Sequence, residues 1–322
     1  MKKCFLFTVC ILIPFFLISQ NNFKPVLIKS WPESQATIYI GNPTGLGIDS
    51  KNNLVIFHRS SRQWTNPLPK DKIKENVITY LNINSGEIVN SWGKNMFVMP
   101  HGLEIDNNDN IWVTDVAMHQ VFKFNPNGKL LLSLGEIFKP GNDQNHFNMP
   151  TDITVLSDGS FYVSDGYGNS RIIKFSKEGK FLFQIDGFGN GQNEFNIPHG
   201  IDNDLQNNIY VADRENNRIK KFDNNGNLLK IWQNKISQQL YSLKVDNKND
   251  LVYAIDYYIK DGKEIMGSNI FILDKELKLL NKFGRSGNYE GPTTRYHDIE
   301  IDEFGRIYAA DILNNIIQLF KL

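Results

Sequence analysis

From Thr44 onward the chain alternates apolar and polar residues in short runs, and each run stops at a cluster of Asn, Asp and Gly such as "DNNDN" or "DNNGN". Alternation with period two is the pattern of a half-buried β-strand, and the clusters mark tight turns. Helical periodicity is scarce. One stretch, "HGLEIDNNDNIWVTDVAMHQVFKFNPNGKLLLSLG", parses as four strands joined by three turns, and five others open in the same way: "TGLGIDSKNNLVIFHR", "TDITVLSDGSFYVSDGYGNSRIIKF", "HGIDNDLQNNIYVADRENNRIKKF", "YSLKVDNKNDLVYAIDYY" and "HDIEIDEFGRIYAADILNNIIQLF". Repeated four-stranded antiparallel units of this length predict an all-β, six-bladed β-propeller with its blades around a central channel. The last unit lacks a fourth strand, and "FKPVLIKSW" near the N-terminus resembles the fourth strands of other units. The N-terminal strand should therefore complete the last blade and close the ring.

The residues that open the six innermost strands are Thr44, His101, Thr151, His199, Tyr241 and His297. Histidine stands in every second blade. In a six-fold ring, alternate blades lie about 120° apart, so three imidazoles would converge on one point of the channel. That is a three-histidine metal site with a fourth position open, and imidazoles without thiolate or carboxylate favour zinc among divalent ions. The chain has only 6 histidines; His58, His119 and His146 lie at other phases and read as structural. Tyr167, after the second strand of the third repeat, and Arg59, at the matching place in the first, should face the channel mouth. A cation beside Tyr167 would make its phenolate accessible as a base.

Composition narrows the partners. Lysine plus arginine equals aspartate plus glutamate, 35 against 35, which removes the electrostatic case for nucleic acid or an anionic membrane. Small molecules or peptides remain, and a monomer is expected. The start, "MKKCFLFTVCILIPFFLISQNN", has a basic end and a short apolar run, as a secretory signal does. A signal peptide over residues 1–19 followed by a propeller over 20–322 is expected, giving a secreted or periplasmic protein with no membrane attachment after cleavage. Both cysteines, Cys4 and Cys10, fall in the leader, so no disulfide holds the mature fold. "GFGNGQ" at Gly187 to Gln192 joins two blades and does not read as a phosphate loop.

Longer segments carry a resemblance. "SWGKNMFVMPHGLEIDNNDNIWVTDVAMHQVFKF", "KPGNDQNHFNMPTDITV", "VSDGYGNSRI", "PHG" and "VADRENNRI", in that order, resemble the peptidyl-α-hydroxyglycine α-amidating lyase family of NHL-repeat propellers, from about Thr44 to the C-terminus. The resemblance implies a zinc-dependent lyase that cleaves a peptidyl-α-hydroxyglycine, or a related N-acyl-hydroxyglycine, to an amide and glyoxylate. It assigns zinc to His101, His199 and His297, and catalysis to Tyr167 and Arg59. It assigns a structural calcium to the carbonyls of Leu46 and Leu103 and the carboxylate of Asp298, and substrate contact to Arg214. Two positions depart from the family: Gly168 replaces a cysteine of animal members, and Arg295-Tyr296 replaces the usual Met-Pro, which makes Arg295 a second substrate-binding candidate. The residues themselves leave open a non-catalytic NHL-type propeller that binds a peptide, glycan or protein, or another metal-dependent propeller hydrolase.

Overall fold

The computed structural model describes residues 25–32, 40–235, 239–285 and 292–322; the expected leader lies outside them. Every regular element among the described residues is a β-strand, and the strands form six antiparallel sheets. Blades 1 to 4 each consist of four consecutive strands, with innermost strands Pro43–Ile48, Pro100–Ile105, Asp152–Val155 and Pro198–Asn203. Blade 5 starts at Gln239–Asp246, and blade 6 at Tyr296–Ile301. Ring closure follows the sequence-based expectation: Val26–Trp31 pairs antiparallel with Ile316–Lys321, with Leu27 opposite Phe320. Blade 5 departs from the simple repeat. Its second strand, Leu251–Lys260, runs past the sheet and pairs with an added strand, Glu264–Gly267.

Alternation fills the gaps between blades. Between blades 1 and 2, Phe97 meets Phe57, Phe122 and Phe124 at ring-centroid distances of 5.0, 5.9 and 5.8 Å, all near edge-to-face. Such packing makes a Phe→Ala change at Phe97 cost about 3–5 kcal/mol.

Two devices in the repeat hold the channel mouth. The first is the Asp that ends the second strand in blades 2, 3, 4 and 6. Its carboxylate accepts backbone N–H groups from the segment entering the innermost strand: Val98 and Met99 donate to Asp115, Asn148 to Asp165, Asn196 to Asp213 and Arg295 to Asp311. The second is a β-bulge at the head of the innermost strand. Pairing slips by one residue between Pro198 and Gly200, between Tyr296 and Asp298, and across Pro100 to Leu103, which makes each phased histidine part of the bulge. A bulge re-aims a side chain and offsets the alternation by one. Consequently the histidine, the residue after it and the residue three further on all face the channel.

Candidate metal centre and its surroundings

The three phased imidazoles meet. His101, His199 and His297 are buried, and each offers a ligand nitrogen within 4.8 Å of the others. Their second nitrogens are committed: Nδ1 of His101 donates to the Thr151 carbonyl at 2.6 Å, Nδ1 of His199 to Tyr241 at 2.8 Å and Nδ1 of His297 to Thr44 at 2.9 Å. A carbonyl can only accept, so each ring carries its proton on Nδ1 and turns the Nε2 lone pair to the channel. The accepting residues are those at the same phase in the following blade, so the blades without histidine orient the blades with one. Burial, with neighbouring positive groups, holds all three imidazoles well below the ordinary histidine pKa, so they are neutral ligands. Three neutral, oriented imidazoles with a common focus fit a divalent transition ion.

Tyr167 stands at that focus. Its Oη lies 3.1 Å from Nε2 of both His101 and His199, and Nη1 of Arg214 donates to it at 3.3 Å. Burial raises the Tyr167 pKa, and this outweighs the lowering pull of Arg214 and Arg59. The residue is therefore a phenol, whose one proton either Nε2 can accept. Its loop is tied to the segment before Thr151 by the amides of Tyr167 and Gly168, which donate to Met149 and Asn148. A Cβ at Gly168 would come 2.1 Å from Asn148 Cγ, so a larger residue there requires the Asn148 side chain to move.

Arg59 is buried to 4% exposure beside the same pocket. Its Nε donates to the Pro100 carbonyl at 3.0 Å, its guanidinium lies 5.3 Å from the Trp64 ring centre, and Nη2 has no partner. Burial lowers its pKa to about 10. Arg214 is instead paired, with Glu215 at 2.8 Å. Arg295 sits at the mouth, donating through Nη2 to Tyr241 Oη at 2.6 Å. These groups line an open cavity of about 650 Å³ that reaches His297. Sequence reasoning missed Trp64, Tyr241 and Tyr257 in this lining. Tyr241 was visible as a phased residue, but that its carbonyl supports His199 while its hydroxyl meets Arg295 depends on the bulge.

Below the histidines the channel holds carboxylates. Leu46 N donates to Asp298 Oδ2 at 2.8 Å, and Ser242 Oγ donates to Oδ1 at 2.8 Å. Leu46, Leu103, Asp298 and an unforeseen Asp152 border a void of about 10 Å³, room for one small occupant. Burial pushes Asp298 up to about 7 and Asp152 well above the carboxylate range, the latter helped by Asp298 itself. Glu104, Asp202, Glu300 and Lys244 border the same void, so five carboxyl groups against one ammonium surround it, a setting that favours a cation. Further down, Lys244 Nζ lies 3.2, 3.4 and 3.8 Å from Glu300, Glu104 and Asp202.

The remaining histidines bond to other parts of the chain, away from the common focus. His58 Nε2 bonds to Thr79 Oγ1, His119 Nδ1 accepts from Met149 N, and His146 lies against Asp143. In the glycine-rich link, Arg218 donates to the carbonyls of Asn190, Gly191 and Glu194, which fixes a blade junction.

Six blades, a closed ring and a channel define a β-propeller, and the NHL repeat family matches residues 97–124, 147–175 and 195–222, in blades 2 to 4. The chain is 44% identical over 172 residues to peptidyl-alpha-hydroxyglycine alpha-amidating lyase 2 of Drosophila melanogaster, covering 50% of this chain and 42% of that protein. It is 34% identical to lyase 1 of the same fly, over 92% of this chain and 59% of the relative. It is 37% identical to the mouse peptidyl-glycine alpha-amidating monooxygenase, over 88% of this chain and 30% of that protein. The resemblance drawn from the motifs is thus met by homologues bearing the lyase name over much of the chain, although the chain spans only 30–59% of the length of these relatives. A streptogramin B lyase structure has a similar fold, with TM-score 0.60 at 13% identity over 89% of this chain and 95% of that one.

Proposed function

We propose that this chain is a metal-dependent lyase that splits an N-acyl-α-hydroxyglycine, such as a peptidyl-α-hydroxyglycine, into an amide and glyoxylate. The observation that carries the reading is Tyr167 Oη seated on two of three converging Nε2 atoms, in a cavity beside a buried guanidinium with a free N–H. His101, His199 and His297 would hold a divalent ion, with zinc the best match to an all-imidazole set, and such an ion supplies a fixed positive charge that lowers the pKa of nearby oxygens. Arg59 binds and orients the substrate carboxylate with the Nη2 it has free. Tyr167 accepts the proton of the carbinol hydroxyl as the C–N bond breaks, and the departing amide nitrogen takes up a proton in return. Arg214 stabilises the Tyr167 oxygen when it carries charge.

The channel void bordered by Leu46, Leu103 and Asp298 is the proposed seat of a structural calcium ion, with Asp152 as a further oxygen donor. A secreted or periplasmic location and a monomeric, small-molecule or peptide enzyme complete the proposal. The test is glyoxylate release from α-hydroxyhippurate by the zinc-loaded protein, with Tyr167→Phe as the diagnostic variant. Turnover should fall by about 10²–10⁴-fold in Tyr167→Phe while bound metal stays constant. A zinc-replete wild type that releases no glyoxylate would sink the lyase reading.

A further inference from the structure

The cavity holds more positive charge than one substrate carboxylate uses. Three arginines line it, and no Asp or Glu does so among the described residues. Arg214 is accounted for by Glu215 and Tyr167. Arg59 and Arg295 have no ion-pair partner among the described residues, and each has a buried guanidinium nitrogen without a hydrogen bond: Nη2 of Arg59 and Nε of Arg295.

These two arginines arise from neighbouring blades, 1 and 6, yet they lean in opposite directions. Arg59 turns toward blade 2, where Nε reaches the Pro100 carbonyl. Arg295 turns toward blade 5, where it bonds Tyr241 Oη and lies 4.7 Å from the Tyr257 ring centre and 5.6 Å from that of Tyr241. Blades 2 and 5 are opposite one another in a ring of six, so the two guanidinium groups are held by contacts on different blades, while both line one cavity and the charge of Arg295 helps lower the Arg59 pKa. His297 lines the same cavity and feels both charges. Stacking on two tyrosines fixes the plane of Arg295, a preorganised donor fork for a carboxylate or comparable anion. Tyr257 reaches this place because the second strand of blade 5 is lengthened to Leu251–Lys260.

We propose that Arg295, with Tyr241 and Tyr257, is a second anion-binding subsite that selects substrates with an acidic acyl group. Taking its substrate frame from the lyase reading, the α-carboxylate sits on Arg59, the carbinol faces the histidine ring and Tyr167, and the acyl chain runs toward blade 5. A terminal carboxylate or an acidic side chain on that chain meets Arg295.

Two measurements test this. In the first, glyoxylate release is compared for N-succinyl-α-hydroxyglycine and the size-matched neutral N-pentanoyl-α-hydroxyglycine. Wild type should favour the acidic substrate by about tenfold or more in kcat/KM, and Arg295→Met should bring the ratio close to one, chiefly through KM. An equal rate for both substrates in wild type, or an unchanged ratio in Arg295→Met, overturns the subsite. The second measurement needs no chemistry: calorimetric binding of N-succinylglycine and N-pentanoylglycine to the zinc-loaded protein. A preference for N-succinylglycine that Arg295→Met abolishes upholds the subsite even if no glyoxylate is released, whereas equal affinities reject it. Arg295→Lys, which keeps the charge and loses the planar fork, should retain part of the preference, and matching thermal unfolding of all three proteins excludes a folding defect as the cause.

Discussion

Blades 2, 4 and 6 carry two rings of three side chains, one above the other, and the rings answer opposite demands. The upper ring is His101, His199 and His297; three residues further along each strand stand Glu104, Asp202 and Glu300. Both rings converge on the channel because the bulge offsets the alternation. The upper ring is neutral, its lone pairs face a focus that the Tyr167 hydroxyl shares, and its support comes from backbone carbonyls. The lower ring is acidic, with burial raising Glu104 to about 8 and raising Glu300 against the pull of Lys244, and its centre is filled by the ammonium of Lys244, which comes from blade 5 at the same depth. Burial pulls Lys244 down, but Asp202, Glu104 and Glu300 outweigh it and hold the group charged, with a pKa well above the ordinary lysine value. One ring is therefore left for an external cation and the other is closed by the chain's own.

Removing one member of the upper ring should have the largest effect. His199→Ala leaves two imidazoles, too few to retain a divalent ion tightly, and takes away one of the two nitrogens that bond Tyr167. Bound metal should fall from about one per chain to near zero, and glyoxylate release should drop by about 10³-fold or more. Metal analysis after gel filtration checks the first number; a variant that kept its metal would show that the ring is not the site.

The lower ring should break differently. Lys244→Met leaves three carboxylates facing one another with 6–17% of each side chain exposed. Loss of one partner from a largely buried ionic cluster costs about 3–5 kcal/mol, and here no ligand of the metal centre is touched. Urea unfolding should register that loss, and millimolar calcium or manganese should recover more stability in Lys244→Met than in wild type, because the variant has the emptied acidic ring. Equal stability of the two proteins would mean that the cluster is protonated and needs no ammonium.

The difference between the rings also explains what could be read from the sequence. Blade number, ring closure and the phased histidines follow from alternation and repetition, which are properties of residue type along the chain. Asp115 and its counterparts were visible as strand-ending residues, but their role in pinning the next innermost strand requires the fold. The lower ring was equally phased, yet Glu104, Asp202 and Glu300 are ordinary residues for a strand near a turn, and Lys244 is not in a blade that shares their residue type. Thr44, Thr151 and Tyr241 support the histidines through carbonyls, which every residue has, so side-chain identity carries no trace of that role. Tyr257 needed the extended strand of blade 5, which no turn motif announced.

Gly102 lies between the rings and is a smaller lever on both. A Cβ there would come 2.5 Å from Asp152 Oδ1 and 2.6 Å from the Thr151 carbonyl oxygen that orients His101. Gly102→Ala must push blade 3 away, at about 2–3 kcal/mol, and loosen the His101 ring. Metal affinity should fall by about tenfold, the scale of a lost orienting contact, while Lys244 and its carboxylates stay in place. Competition with a chromogenic chelator reads the affinity; a variant that lost stability without losing affinity would separate the close packing from the metal site.

His58 supplies the finest test, because it is a buried histidine that belongs to neither ring. Its Nδ1 accepts from Ser60 N at 3.2 Å, so its proton is on Nε2, facing Thr79 Oγ1 at 3.0 Å. That is the opposite tautomer to the upper ring, and its lone pair is spent on the chain. Burial lowers the His58 pKa to about 3, against about 6.5 in the unfolded chain. Between those values the unfolded state binds more protons, so stability rises with pH and is lost on acidification. From pH 7 to pH 5 this one residue should remove about 2 kcal/mol, since about 1.5 pH units below 6.5 correspond to that energy at 1.36 kcal/mol per unit. With metal removed throughout, the three ring histidines contribute equally to wild type and to His58→Gln, so the difference between the two proteins isolates His58. Urea unfolding at both pH values should therefore show a drop smaller by about 2 kcal/mol in His58→Gln, whereas equal drops would mean that His58 takes up its proton without leaving the fold.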